Sequence, residues 1–135
     1  MTIDDLKTYG ANTEEGLKRC MNNEGFYLRL VKMIPGDASF PKLYDAVDKG
    51  DLDTAFEAAH ALKGSAGNLS LTPIFAPISE ITELLRARTQ ADYTALIDQI
   101  REARDELAHI CEELSLSSLI SAILRQTEAC PLQVS

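Results

Sequence analysis

Apolar residues recur every three or four positions along most of this chain, and no apolar–polar alternation persists long enough to suggest a strand. A stripe of that period is buried only by packing helix against helix, so the expected class is all-α. Thr2 with Asp5 three residues on predicts a capped short helix that stops near Gly10. Asn12 or Thr13 starts a second, with Leu17, Cys20 and Met21 as its apolar positions. Asn23 starts a third, where Phe26, Tyr27, Leu28, Leu30, Val31, Met33 and Ile34 are apolar nearly all round, the pattern of a helix central to a bundle. Pro35-Gly36 ends it.

A shorter helix is expected from Ser39 to Lys49, with Leu43, Tyr44 and Val47 facing inward and Gly50 as its breaker. Asp51 caps a longer one running to about Leu69. Thr72-Pro73 restarts the chain, with Ile74, Ile78, Ile81 and Leu85 at helical spacing and Pro77 inside the pattern. From about Ala91 a further long helix carries Tyr93, Leu96, Ile100, Ala103, Leu107, Ile110 and Leu114 on one stripe. Short connections favour antiparallel neighbours in an up-down bundle. Residues 1–114 read as that bundle, and 115–135 as a C-terminal amphipathic extension. In the extension Leu116, Leu119, Ile120, Ile123 and Leu124 predict one more packed helix before Pro131.

The net charge of −8 opposes phosphate backbones and anionic lipid, which argues against nucleic-acid and membrane partners. No apolar run reaches membrane-spanning length, and the N-terminus lacks the pattern of a secretory signal, so the cytoplasm is the expected compartment. Three cysteines, Cys20, Cys111 and Cys130, lie far apart without Cys-x-x-Cys spacing, which argues against a disulfide framework or a zinc site. His109 falls off the buried stripe of its helix and has no metal-ligand spacing to another histidine or glutamate, so it reads as a surface residue.

The segment from Asp51 to Leu71 is the most informative. With about 100° of turn per residue, Leu52, Ala55, Ala59, Leu62, Ala66 and Leu69 share one broad face, which must be the buried one. Asp53, Glu57, His60, Gly64, Gly67 and Asn68 share the opposite face, so His60 looks outward. Gly64 and Gly67 follow it one and two turns on, although a glycine inside a helix costs about 1 kcal/mol relative to alanine. Missing side chains there clear the approach to the imidazole for a bulky partner. Gly67 is also readable as a simple C-cap, but Gly64 lies too far inside the helix for that. Lys63 sits one turn from His60, close enough to compensate negative charge on a group bound to the ring.

His60, Leu62, Lys63, Gly64, Ser65, Ala66 and Gly67, with Ser70 where glycine is frequent, resemble the motif of the histidine-containing phosphotransfer domains of two-component phosphorelays. The upstream EEGLKRCMNNEGFYLRLVKMI is similar to the first half of free-standing members, so the resemblance spans about Thr2 to Leu114. It implies a four-helix bundle with additional short N-terminal helices. It also implies a phosphoryl group carried on Nε2 of His60, charge compensation by Lys63 and steric access over Gly64. Phe56, Glu57, Ala61, Gly67 and Asn68 are then the docking face. The implied partners are response-regulator receiver domains and a hybrid histidine kinase. No cofactor is bound by the chain itself, and the Mg²⁺ belongs to the receiver. The chain has no glycine-rich nucleotide loop and no Walker sequence, so it is expected to act as a monomeric phosphoryl carrier without its own ATP site.

Two other classes compete. A sensor-kinase dimerisation domain also presents a helical histidine, but usually with an acidic residue after it, where this chain has Ala61; a phosphoacceptor fragment of a chemotaxis-type kinase is a related reading. A helical interaction module with an inert histidine is the third, and phosphoryl uptake separates it from the others.

Overall fold

The computed structural model describes the backbone of residues 1–127 and the side chains of residues 1–111. Those residues form helices α1 (Ile3–Tyr9), α2 (Thr13–Arg19), α3 (Glu24–Met33), α4 (Ser39–Lys49), α5 (Leu52–Asn68), α6 (Thr72–Arg86) and α7 (Thr94–Thr127), and no strand occurs among them. The predicted caps are made. Thr2 Oγ1 accepts from the Asp5 N–H at 3.1 Å while Asp5 Oδ2 accepts from the Thr2 N–H at 2.9 Å, a reciprocal capping box. Asn12, Asn23 and Asp51 each accept an N–H of the first turn that follows, and Gly50, at φ +75°, ends α4 in the left-handed region that favours glycine.

Helix α5 packs against both α4 and α6, and α6 packs in turn against α7. The face that α5 buries carries Ala55, Ala58, Ala59, Leu62 and Ala66. Four alanines in five positions let neighbouring backbones approach closely, while Leu62 fills the space between them. From the facing side, Ile74, Ile78, Ile81 and Leu85 of α6 are fully buried, as are Ile100 and Leu107 of α7. Pro77 lies inside α6 and is buried. The hydroxyl of Thr82, also buried, is satisfied by donating to the Ile78 carbonyl at 2.6 Å.

Three expectations change. Helix α3 is not central: Tyr27, Val31 and Ile34 are buried, but Phe26 and Met33 are 43% and 65% exposed. It lies on the flank, where a single i, i+4, i+7 stripe is enough to hold it. Met21 is not on a helical stripe either; it sits in the turn after α2 at φ +56° and is 90% exposed. No separate helix begins after Leu114, because the α7 backbone runs on to Thr127. The apolar side chains expected on that extension, and residues 128–135, lie outside the described residues.

The flank is nonetheless tightly keyed to α5. The Tyr27 hydroxyl donates to the Leu69 carbonyl at 2.8 Å, and burial pushes its phenol up to about 12. A Cβ placed on Gly16 would stand 2.5 Å from that ring, so α2 and α3 meet only because residue 16 has no side chain. Gly16→Ala is expected to destabilise the chain by about 1–3 kcal/mol, as overpacking does. The check is a lower urea midpoint with an unchanged slope; an unmoved midpoint would mean that the seam opens freely.

Candidate functional site

His60 is exposed on α5, midway between the Asp51 cap and the C-terminal turn. It borders a groove of about 730 Å³ that also takes Lys63, Gly64, Gly67 and Asn68 from α5, Arg19 from α2 and Phe75 from α6. The sequence reading thus places four of its site residues beside His60. Of the others, Phe56 is half-buried and stacks on the His60 ring, centroids 5.6 Å apart and planes 21° from parallel. Glu57 is exposed and turned toward α4, where it pairs with Lys42 at 3.7 Å. Ala61 is exposed outside the groove lining.

The two glycines part company. A Cβ on Gly64 would meet no atom of the described residues within 4 Å, so none of them requires glycine there. A Cβ on Gly67 would stand 3.0 Å from the Phe75 ring, so that glycine serves the α5–α6 contact as well as lining the groove beside His60. Gly67 does not end the helix, which continues through Asn68. Ser70 supplies a further revision. It adopts φ +55°, so the demand at this position is left-handed backbone, not merely small size. The seryl hydroxyl donates to Glu15 at 2.7 Å and the Ser70 carbonyl accepts from the Asn12 N–H at 2.9 Å, which joins the end of α5 to the start of α2. Arg19, ion-paired with Glu15 at 3.7 Å, donates to the Gly67 carbonyl and forms the far wall of the groove.

Charges on α6, which the sequence reading passed over, meet Lys63 and Phe56, two neighbours of His60 on α5. Lys63 pairs with Glu83 at 3.4 Å, and Arg86 reaches the same carboxylate at 3.3 Å. The Arg86 guanidinium, and after it the Lys63 ammonium, hold the Glu83 carboxyl below the usual carboxylate range. The Arg86 and Arg88 guanidinium carbons lie 5.2 and 5.0 Å from the centre of the Phe56 ring, the ring on which His60 stacks. Arg88 in turn pairs with Asp53 at 2.6 Å. These pairs are exposed and individually weak, so the side chains remain available to a stronger anion.

An accessible imidazole with a cleared flank and cations within reach has the parts needed to carry a phosphoryl group. Residues 37–117 match the family model described as Hpt domain, a span that begins just before α4 and contains the whole of α5. The chain belongs to the Hpt domain family. Its role is therefore histidine phosphotransfer in two-component signalling; Hpt domains are phosphocarrier modules, not catalysts, and they interact with receiver domains and kinases in phosphorelays. Neither a curated protein nor a solved structure gives a significant match. Asn12, Glu15 and Arg19 precede the span matched to the Hpt model, so the α2 wall of the groove is an addition to the matched part of the domain. No helix among the described residues is long and apolar enough to cross a membrane.

A second groove of about 770 Å³ runs between α4 and the start of α7, with Asp45, Asp48, Asp92 and Asp98 along it. Its carboxylates repel a phosphoryl group, and His60 is not among the residues that line it.

Proposed function

We propose that His60 is the phosphoacceptor of a phosphorelay intermediate, which takes the group from a phospho-aspartate receiver domain, or from a kinase, and passes it to another receiver. The observation that carries this reading is the empty space over Gly64, one turn from an exposed imidazole that shares its groove with Lys63. In the step itself, the lone pair of a neutral ring nitrogen forms the N–P bond as the acyl-phosphate O–P bond breaks. The aspartate carboxylate leaves with that bond's electrons, and the other ring nitrogen keeps its proton. Charge spreads over the phosphoryl oxygens in such a transition state, so positioning and nearby cations do most of the work. The Mg²⁺ and its acidic pocket belong to the receiver.

In this reading Phe56 orients the ring, and Glu57, Ala61, Gly67 and Asn68 contribute to the receiver docking face. Helices α4 to α7 make the antiparallel up-down four-helix bundle that presents them. Residues 1–114 form the phosphotransfer unit, a cytoplasmic monomer, and 115–135 extend it.

The test is phosphoryl uptake from labelled phospho-receiver domains, with Lys63→Ala alongside. The variant is expected to slow uptake about tenfold or more, the scale of losing one hydrogen bond to a charged group, while still binding the receiver. An unchanged rate and phosphohistidine lifetime would make Lys63 a bystander, and no uptake by the wild-type chain from any receiver would leave a plain interaction module.

A further inference from the structure

We infer that Glu83 is a positioning residue for the phosphotransfer reaction: in the resting state its carboxylate holds Lys63 and Arg86 at the flank of His60, and it yields both cations to the phosphoryl group when the ring is loaded. The inference rests on His60 being the acceptor, and it begins from an economy of charge. One carboxylate serves two cations, through Oε2 to Lys63 Nζ at 3.4 Å and through Oε1 to Arg86 Nε at 3.3 Å. Lys63 lines the acceptor's groove, and Arg86 stands over the Phe56 ring that stacks on the imidazole. Glu83 itself is on α6, outside the helix that carries His60, so it acts only through the side chains it grips.

The arriving group competes on favourable terms. A phosphoryl group at neutral pH bears nearly two negative charges on three acceptor oxygens, against one charge on the carboxylate. The Glu83 side chain is 56% exposed, so when displaced it returns to water and leaves no buried charge behind. Arg88 is tied down further, since besides its exposed pair with Asp53 its guanidinium donates to the Leu85 carbonyl at 2.7 Å. The competition therefore centres on the pair that Glu83 shares.

Phosphoramidate supplies a donor that needs no partner: its P–N bond breaks as the His60 nitrogen attacks, and ammonia leaves. Phosphorus NMR of the loaded chain then follows the titration between phosphoryl monoanion and dianion. Cations released by Glu83→Gln favour the dianion, so the acid dissociation constant of the phosphoryl group is expected to rise about threefold, a fall of about half a pH unit. In a Lys63→Ala/Arg86→Ala background the same Glu83→Gln change is expected to have no effect. An identical titration in wild type and Glu83→Gln would overturn the inference. So would a shift that persists without the two cations, because Glu83 would then act by direct repulsion. Loading of a His60→Gln chain to the wild-type level is a separate result, and it would instead overturn the assignment of the acceptor.

Discussion

Replacing His60 by glutamine is expected to abolish phosphoryl uptake from a phosphorylated receiver, by about a thousandfold or more, and to leave the helical fold as stable as before. The two halves of this result have separate physical causes. A glutamine amide cannot stand in for imidazole as a nucleophile, because its nitrogen lone pair is delocalised into the carbonyl, so the variant lacks the group that forms the N–P bond. The fold is indifferent because His60 is exposed, and its described ring contact is the stack on Phe56, which is itself held by Arg86 and Arg88. Substitutions at such surface positions stay within about 0.5 kcal/mol. Phosphate label on the intact chain and a thermal melt on the same sample check both halves. Retained label would move the acceptor to another residue. Lost label with a collapsed melt would show instead that the ring supports the bundle.

Much of this site was legible because it sits on one helix. A wheel drawn from Asp51 to Leu71 separates Ala55, Ala59, Leu62 and Ala66 from His60, Gly64 and Asn68 with no knowledge of the neighbours, and the accessibility of those residues follows the same division. The bounds of α4 were equally readable, since Pro35-Gly36 and Gly50 bracket it. What escaped depends on contacts across the fold. Arg19 enters the groove only because the Ser70 carbonyl binds the Asn12 N–H and draws α2 to the end of α5, a meeting that no local pattern announces. Glu83 and Arg86 look like an ordinary polar face of α6 until the packing of α6 on α5 brings them to Lys63 and Phe56. The packing role of Gly67 escaped for the same reason: the Phe75 ring it faces lies on α6. The apolar run of α3 misled by composition, because hydrophobic residues also occupy the exposed side of a flanking helix.

The contrast between the two glycines gives the second large effect. Gly64→Gln is expected to make the chain more stable and to cut phosphotransfer from a receiver by about a hundredfold, the scale that a misplacement of about 1 Å costs an aligned transfer. Stability rises because glutamine is the better helix former, by somewhat under about 1 kcal/mol, and because the new Cβ meets no atom within 4 Å. Transfer falls because the added side chain occupies the approach that a receiver needs to bring its phospho-aspartate in line with the ring nitrogen. Loading from phosphoramidate, a donor only a few atoms across, should be much less impaired, which separates blocked docking from a damaged imidazole. A variant that is stabilised yet transfers from the receiver at the wild-type rate would show that the partner approaches from elsewhere. Gly67→Ala provides the control: its Cβ is driven toward the Phe75 ring at 3.0 Å, so its first effect should be on the melt. Gly64 then answers to the partner alone, whereas Gly67 also answers to the packing of Phe75, although both stand on the same helix within two turns of the histidine.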